Sequence, residues 1–396
     1  TYGKDAVMIS MERMNDIREI RPDARIAIVG AGVVLSSLHD AADKHDLVFP
    51  LTFCAIGSAM FGGALSTNAG GSNVVRYGST RGLCLGLEVV LPYGQIMNLM
   101  SELHKDNSGY DLKDLMIGAE GTLGLITSAV VKLFPKPRAY ATAMVAVPDF
   151  PAALALLNSL QTATGGMVEA FEYMNALYMS DFLTMFPKAR APFEDSHDIN
   201  IMVEVGATAP SLADQQPDGT IPIVTLLEET LTQMMEDGRI IDAVVAQNEA
   251  QRREMWERRE AAGEVMLMRK IMVNNDICVP VDKVASFFER IEARLADLDP
   301  GALQNSVSHL GDGNIHFLLF PTKDNPEHID MLTEAVEDVV LSLGVSFSAE
   351  HGIGLTKKPS MARRKDKVAL SVMRAVKAAI DPDNIMNPGK VLPQTN

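Results

Sequence analysis

The sequence predicts an α/β protein of two or three domains, and three observations support this fold class. The chain has 396 residues, of which 47% are hydrophobic, so it can form more than one hydrophobic core. Short aliphatic runs typical of strands alternate with segments of helical periodicity along most of the chain. Pro135-Lys-Pro137 interrupts this alternation, which indicates a domain boundary.

Each predicted element rests on a local pattern. Before the boundary, apolar runs predict strands at 25–29, 86–91, 95–99 and 124–134, and amphipathic periodicity predicts a helix at 33–45. Beyond it, we predict strands at 142–147, 167–173 and 200–205, helices at 151–162, 247–270 and 367–380, and a polar loop at 207–219. Strands separated by crossover helices favour an α/β sandwich with helices on one face of the sheet. We detect no internal sequence repeat.

Composition and charge exclude several classes of protein. The formal net charge of −16 repels phosphate backbones and anionic lipids, so nucleic-acid and membrane-surface partners are disfavoured. No apolar run reaches the roughly 18 residues of a membrane span. Cys54, Cys84 and Cys278 lie far apart, which excludes a disulfide framework and an iron–sulfur cluster held by this chain alone. Thr1 to Asp5 show no secretory signal, so we predict a cytoplasmic protein, and the missing initiator Met suggests a fragment.

Gly30-Ala-Gly32 lies between a predicted strand and a predicted helix, where a dinucleotide-binding turn would lie. The third position of that motif needs Gly or Ala for close helix packing, but here it is Leu35. Residues 51–53 also supply no acidic side chain for a ribose hydroxyl. We therefore reject a nicotinamide site at this turn.

A second glycine-rich stretch, 57–71, predicts an anion-binding nest. Its small and polar residues are Gly57, Ser58, Gly62, Gly63, Ser66, Thr67, Asn68, Gly70 and Gly71. Backbone N–H groups without bulky side chains over them can wrap a pyrophosphate. A glycine-rich structural loop is the alternative. The cluster 118–124 could approach the same ligand or be an ordinary turn, and 387–390 could contact a cofactor or only follow a helix end.

The segment His309-Leu-Gly-Asp-Gly-Asn-Ile-His316 predicts a hairpin with Asp312-Gly313 at its turn. A two-residue turn places His309 directly opposite His316, with Cβ atoms roughly 4.5–5.5 Å apart. Downstream, Glu350 and His351 end another apolar run. Two His and one carboxylate are typical ligands of a catalytic zinc, and also suit iron or manganese. A structural histidine pair is the alternative.

The helix around Trp256 carries several Arg and Glu residues. A solvated face with Glu–Arg pairs four residues apart is the simplest interpretation. The alternative is that one Arg turns inward and binds a substrate carboxylate through both of its terminal nitrogens.

In combination, these segments resemble the FAD-linked oxidoreductases of the vanillyl-alcohol-oxidase type. The similar branch contains D-2-hydroxyglutarate, D-lactate and glycolate dehydrogenases. The matching segments span nearly the whole chain: 62–71, 76–78, 86–91, 106–113, 118–124, 256–260, 276–280, 309–316, 350–352 and 387–390. The resemblance implies an FAD-binding domain at 1–137, a ferredoxin-like substrate and metal domain at 138–345, and a C-terminal segment at 346–396 that returns to the flavin.

The resemblance also implies roles for individual residues. FAD contacts would come from the 57–71 stretch, from Glu120, Gly121, Thr122, Gly124 and Ile126, and from Asn387 and Lys390. His309, His316 and Glu350 would hold a divalent metal that binds the C2 hydroxyl and the carboxylate of the substrate. Arg259 would bind a substrate carboxylate, and His351 would take the hydroxyl proton as hydride leaves C2 for flavin N5.

The sequence departs from the family pattern at three places. The first phosphate-binding loop of the family would lie upstream of Thr1, so FAD affinity would depend on a segment outside this sequence. Residues 272–275 lack the Lys of the hydroxyglutarate branch, and Leu318 replaces its Asn. Because both changes remove polar groups, they favour a shorter or more apolar D-2-hydroxy acid.

Two other functions remain alternatives: a metal-dependent hydrolase that uses the His-His-Glu set, and a non-catalytic module that binds FAD or another anion. With no cysteine cluster, the expected electron acceptor is external, such as an electron-transfer flavoprotein, a quinone or a cytochrome. The 23 Met residues and the apolar helices are compatible with a homodimer.

Overall fold

The structure is a computed structural model that describes residues 6–53 and 55–394. Thr1 to Asp5 and Cys54, which enter the leader and cysteine predictions, lie outside the described residues. The chain forms two compact units. The first contains the described residues up to Gly70, Tyr77–Lys136 and those from Glu350 onward, and the second contains Gly71–Arg76 and Pro137–Ala349. The domain boundaries placed after 137 and 345 stay predictions.

Strands and helices alternate through most of the chain. The strands are β1 (Ile17–Arg21), β2 (Ile26–Gly30), β3 (Leu47–Val48), β4 (Cys84–Val90), β5 (Ile96–Leu99), β6 (Leu125–Lys132), β7 (Phe134–Pro135), β8 (Ala139–Ala146), β9 (Val168–Asn175), β10 (Ile199–Ala207), β11 (Asp242–Val245), β12 (Val273–Cys278), β13 (Leu303–His309) and β14 (Asn314–Phe320). The helices are α1 (Leu35–Asp43), α2 (Phe61–Thr67), α3 (Val74–Tyr77), α4 (Thr80–Leu83), α5 (Leu112–Met116), α6 (Phe150–Thr164), α7 (Ala176–Met185), α8 (Pro210–Ala213), α9 (Pro222–Glu236), α10 (Glu249–Glu260), α11 (Ala262–Met266), α12 (Val284–Leu298), α13 (Pro326–Ser342), α14 (Lys358–Arg364) and α15 (Lys367–Ile380). A 3₁₀ turn, Val281–Lys283, precedes α12.

The first unit is built on a five-stranded antiparallel sheet with strand order β1-β2-β6-β4-β5. Helix α1 forms because Leu35, Leu38 and Ala42 recur at helical spacing, and all three are buried against this sheet's core. The C-terminal helix α15 packs Val376 and Ile380 against the same core. The last segment of the chain is therefore part of the first unit.

The Gly30-Ala-Gly32 turn has a structural role. A Cβ atom at Gly30 would lie 2.2 Å from the carbonyl oxygen of Met14, and one at Gly32 would lie 1.9 Å from that of Met11. The N–H groups of both glycines donate to the preceding segment, to Asp16 and Met14 respectively. Both glycines are therefore required for the close approach of another backbone segment.

The second unit is built on a seven-stranded antiparallel sheet with strand order β11-β8-β10-β9-β13-β14-β12. It consists of two ferredoxin-like halves, each with the order strand, helix, strand, strand, helix, strand. The first half runs from β8 to β11. The second runs from β12 to Ser346, which pairs with Cys278 in place of a fourth strand. The halves join where β9 pairs with β13, so two repeats of one topology share a single sheet.

The prediction of helices on one face of this sheet is wrong. Helices α6, α9, α12 and α13 cover one face, and α7, α10 and α11 lie over the other. Accordingly, every residue of β10 is buried, on both faces of the sheet.

Two further elements differ from prediction. The helix expected at 247–270 ends at Glu260, and a short second helix, α11, follows Ala261. The loop expected at 207–219 contains the single turn α8. Among the described residues, no helix is both long and apolar enough to cross a lipid bilayer.

Candidate active site

The hairpin of β13 and β14 brings His309 and His316 together, but not in the predicted register. Residues 310–313 form the connection, so His309 pairs with Asn314, and His316 pairs with Val307. This register differs from the predicted one by two residues, which keeps both histidines on the same face. Their ring centroids lie 5.4 Å apart at an interplanar angle of 81°. The two imidazoles are therefore diagonal neighbours instead of direct partners.

Glu172 on β9 binds His309 across the junction of the two halves. The residues are cross-strand partners, and Nδ1 of His309 lies 2.8 Å and 3.0 Å from the two carboxylate oxygens. The side chain of Glu172 is completely buried. The sequence analysis missed this residue, and the available signal was the presence of two acidic residues, Glu169 and Glu172, within a mostly apolar strand.

Arg259 on α10 binds the other side of the same carboxylate. Its Nε donates to Oε2 of Glu172 at 2.7 Å, and its Nη2 lies 3.4 Å from Nδ1 of His309. Burial alone raises the pKa of Glu172, but His309 and Arg259 outweigh burial and hold that pKa at about 2. The predicted inward-turning arginine is thus found at Arg259, although its Nε is bound to a carboxylate of the protein.

Asp276 on the edge strand β12 is the cross-strand partner of His316. Its carboxylate oxygen lies 3.7 Å from Nδ1 of His316 and accepts a hydrogen bond of 2.9 Å from the amide of Asn314. Asp276 is completely buried. A carboxylate therefore stands beside each of the two histidines.

The remaining predicted ligand, Glu350, begins the last segment of the first unit. Ala349, the residue before it, donates its N–H to the carbonyl oxygen of Asp276 at 3.1 Å. The chain therefore runs along the edge strand that carries Asp276 immediately before it reaches Glu350 and His351.

Glu204 on β10 forms a second buried carboxylate cluster on the same face of the sheet as Glu172. Its oxygens accept hydrogen bonds from Nε and Nη2 of Arg252 at 2.7 Å each, from Trp256 at 2.8 Å and from Thr142 at 2.7 Å. Arg252 and Arg259 lie two turns apart on α10. One helix thus supplies an arginine to each of two carboxylates on adjacent strands.

The predicted nest at 57–71 is largely helical. The first N–H groups of α2 are satisfied within the chain, Phe61 by Val33, Gly62 by Ala31 and Gly63 by Met60. The hydroxyls of Ser66 and Thr67 donate to carbonyls one turn earlier, and the amide oxygen of Asn68 accepts from Arg81. A free helix N-terminus is therefore absent from this described stretch.

The glycines proposed to contact FAD divide into two groups. No atom lies within 4 Å of a Cβ placed on Gly57, Gly63 or Gly121. A Cβ on Gly62 would instead lie 2.7 Å from Cβ of Ala31, and one on Gly124 would lie 2.6 Å from the side chain of Val89. The first three glycines border open space, whereas the other two are needed for packing within the unit. Gly70 is buried, and Gly71 begins the 71–76 segment of the second unit.

The other residues predicted to contact FAD have contacts within the chain. Ile126 is 5% exposed and belongs to the core, and the hydroxyl of Thr122 donates to the carbonyl of Ala119. Asn387 donates to the backbone carbonyl of Glu120 at 2.6 Å. Lys390 donates to the carbonyl of Pro388, and Ser58 lies in the turn before α2 with its hydroxyl 3.4 Å from the carbonyl of Ala55.

Comparison with known proteins identifies the chain by two independent routes. Residues 1–100 match the FAD binding domain, and residues 136–391 match the C-terminal domain of FAD linked oxidases. A D-2-hydroxyglutarate dehydrogenase of Stutzerimonas stutzeri (strain A1501) is 33% identical over 390 residues, which cover 97% of this chain and 81% of that protein. The mitochondrial D-2-hydroxyglutarate dehydrogenase of Bos taurus is 32% identical, and the match covers 98% of this chain and 69% of that protein.

Solved structures show the same fold at low identity. The structure of p-cresol methylhydroxylase with substrate bound has a TM-score of 0.69 at 15% identity and covers 97% of this chain and 79% of that one. Alkyldihydroxyacetonephosphate synthase has a TM-score of 0.65 at 16% identity, and the match covers 96% of this chain and 68% of that one. The predicted resemblance is confirmed: the chain belongs to the FAD-linked oxidases, a family of FAD-dependent oxidoreductases.

Proposed function

We propose that this protein oxidises a D-2-hydroxy acid to the 2-oxo acid with FAD as the hydride acceptor. The observation that carries the proposal is the connected set Arg259, Glu172, His309 and His316, held on one face of the sheet in a chain of this family. Relatives that match nearly the whole chain are named D-2-hydroxyglutarate dehydrogenases, which supports the reaction class. A metal-dependent hydrolase would have no need of an FAD-binding domain.

The first unit has features that suit FAD. The open space beside Gly57, Gly63 and Gly121 would admit a ligand close to the backbone, as a cradle for an anionic group requires. FAD, when bound, supplies the hydride-accepting N5 atom. Gly62 and Gly124 would support this cradle from behind through packing, since neither has space for a side chain.

We propose His309, His316 and Glu350 as ligands of a divalent metal, since the two imidazoles lie on one face of the sheet of the second unit with their ring centroids 5.4 Å apart. Because Glu172 holds Nδ1 of His309, Nε2 is the ring nitrogen that would coordinate the ion. Two imidazoles and one carboxylate are a typical set for zinc, with iron or manganese as alternatives. The ion would act as a Lewis acid that lowers the pKa of the substrate hydroxyl.

Arg259 and His351 would act on the substrate itself. The Nε of Arg259 is already bound to Glu172, so a substrate carboxylate would meet its guanidinium through Nη1. Because Glu172 fixes this guanidinium, Arg259 could orient the substrate without first losing side-chain freedom. His351 would accept the proton of the C2 hydroxyl as a general base.

We further propose a substrate that is shorter or more apolar than 2-hydroxyglutarate. Leu318 is completely buried on the face that carries His316 and pairs with Asn305 on one side and Asn274 on the other. The neutral side chains at 274 and 318 offer no positive charge to a second carboxylate. The electron acceptor would be a flavoprotein, quinone or cytochrome, and the cytoplasmic location and the homodimer stay predictions.

The test is the visible spectrum of the FAD-loaded protein during anaerobic addition of D- and L-2-hydroxy acids. We expect bleaching by a D-acid such as D-lactate at lower concentration than by D-2-hydroxyglutarate, and loss of bleaching after chelation of metal. Bleaching by 2-hydroxyglutarate at the lowest concentration would contradict the substrate size. A flavin band that no D-acid bleaches would contradict the reaction.

A further inference from the structure

Glu120 holds the loop that follows His351 through both oxygens of its carboxylate. Oε1 accepts the N–H of Ile353 at 2.7 Å, and Oε2 accepts the N–H of Gly354 at 2.8 Å. All of these residues belong to the first unit. A carboxylate that accepts two adjacent backbone N–H groups fixes the position and the orientation of that peptide segment.

Gly352 allows the loop to lie close enough to Glu120 for these hydrogen bonds. A Cβ at this position would lie 2.7 Å from Oε1 of Glu120, and the residue has a φ of +72°. A side chain at this position would force the Glu120 carboxylate to shift, and the positive φ would strain the backbone of a residue other than glycine. The residue directly after His351 is thus the point at which the loop lies against Glu120.

The backbone of Glu120 is itself fixed on both sides. Its N–H donates to the carbonyl of Ser66 at 2.8 Å, and its carbonyl accepts from the amide of Asn387 at 2.6 Å. Its φ of +52° lies in the left-handed region, which a residue with a side chain adopts only when its surroundings enforce it. The carboxylate is therefore presented from a rigid support.

We propose that Glu120 is a positioning residue for His351 and not a ligand of FAD. The family resemblance implies an FAD contact for Glu120, but both of its carboxylate oxygens accept N–H groups of the loop, which argues against a contact through the side chain. The inference rests on the proposed function, in which His351 accepts the hydroxyl proton. Two anchored residues at 353 and 354, with Gly352 between them and His351, restrict where the imidazole can lie.

The test is Glu120→Gln in the FAD-loaded, metal-loaded enzyme. The amide of Gln keeps the size of the side chain but places an NH₂ group against an N–H donor, so one of the two hydrogen bonds to the loop is lost. We expect kcat per bound FAD to fall by about 10²-fold, with KM changed less than threefold and FAD content unchanged. Faster amide hydrogen exchange in residues 352–356 should accompany the loss.

A double-mutant cycle separates positioning from a general loss of structure. In a His351→Gln background, Glu120→Gln should lower kcat by less than about twofold, because a group that acts through His351 has no effect once that imidazole is gone. Asp381→Asn is the matched control, since this carboxylate also accepts two backbone N–H groups, from Ile385 and Met386, in the same unit. It should reduce stability without reducing kcat per bound FAD.

Three outcomes would overturn the inference. Multiplicative effects in the cycle would show that Glu120 acts independently of His351, and FAD loss in proportion to activity would make Glu120 a cofactor ligand. Unchanged exchange in 352–356 would show that the carboxylate does not hold the loop. A wild-type protein that oxidises no D-2-hydroxy acid, yet shows faster loop exchange in Glu120→Gln, would instead contradict the proposed function.

Discussion

The two halves of the second unit share one topology but differ in the connection between their central strands. In the first half, the chain between β9 and β10 contains helix α7, whereas in the second half residues 310–313 suffice to connect β13 and β14. Tyr178 and Phe182 of α7 cover an apolar face built from Met144, Met174 and Met202. The same face of the second half carries His309, His316 and Asp276 instead.

This difference shows how one fold can carry a packed surface and a reactive surface side by side. Glu204 and Glu172 lie on adjacent strands, and each binds an arginine of α10. The hydrogen-bonding capacity of Glu204 is used by Arg252, Trp256 and Thr142, so that cluster serves packing. Glu172 also binds an arginine, but its carboxylate in addition binds His309, which connects the ion pair of Arg259 and Glu172 to the proposed metal site.

The largest expected effect is that of His309→Ala in the second half. Loss of one imidazole should remove both metal binding and turnover, with kcat lowered by about 10³-fold, since a Lewis acid contributes several kcal/mol to such a step. Metal content and steady-state turnover should be measured together. His197→Ala, in the first half, is the control and should keep both, and a metal-free but active His309→Ala would contradict the proposed ligand set.

The same substitution in the two carboxylates, Glu204 and Glu172, tests whether the packed surface and the reactive surface differ as described. Glu204→Gln should destabilise the protein by about 3 kcal/mol, because it removes the buried charge partner of the Arg252 guanidinium, and should leave turnover per folded molecule unchanged. Glu172→Gln should in addition weaken metal affinity by about 10–100-fold, because it removes the anchor of His309. Urea denaturation of the metal-free protein and metal titration provide the two readouts, and equal metal affinities would contradict the distinction.

We expect part of the loss of folding stability in acid to arise from Asp299, which follows the end of α12 in the second half. Burial raises the pKa of Asp299, but hydrogen bonds from His328 and Thr322 outweigh it and hold that pKa at about 2. The folded state thus keeps this carboxylate charged where the unfolded chain takes up a proton. Its stabilising contribution is complete above about pH 4 and is lost as the pH falls towards 2.

Asp299→Asn should therefore flatten the pH dependence of the urea midpoint in that range. The corresponding helix of the first half, α6, ends at Gly165, which carries no titratable side chain. An unchanged pH dependence in Asp299→Asn would place the acid-sensitive group elsewhere.

The smallest expected effect on stability concerns the N-terminus of α6, which is equivalent to α12 of the second half. Asp149 caps α6 by accepting the N–H of Ala152 at 2.7 Å, whereas the equivalent helix, α12, follows Lys283 without a side-chain cap. Asp149→Ala should cost about 1 kcal/mol of unfolding free energy, and Asp149→Asn should cost much less because it keeps the acceptor. Equal losses in both variants would indicate that charge, and not the hydrogen bond, stabilises this end.

Local sequence patterns predicted many of the strands and helices, and they placed His309 and His316 on the same face of a hairpin. The strand predicted at 86–91 overlaps β4, Cys84–Val90, at residues 86–90, because a short run of aliphatic residues bounded by a turn favours a buried strand. His309 and His316 were placed on one face despite a wrong turn, because the error was two residues and side chains alternate with a period of two. That one arginine of this helix turns inward was raised only as the alternative to a solvated face, and the family resemblance, not the local pattern, singled out Arg259.

Long-range pairing accounts for what the sequence did not reveal. Glu172 meets His309 across 137 residues, and no local pattern specifies which strand follows the edge of the first half. The end of α10 near Ala261 was missed because charged residues continue past it without a proline or a strong break. The helical form of 61–67 was missed because glycine content was interpreted as open loop, whereas Gly62 serves close packing.

The pairing of β9 with β13 has a consequence for the order of folding. The pairing of these two strands comprises three residue pairs, and His309 with Glu172 is one of them. Contacts that close short loops form before contacts that close long ones, so each half should complete its own hairpins and helices first. The reactive pair then assembles late, and a nascent chain that has not yet reached β13 presents the edge of β9 as an open template for a foreign strand.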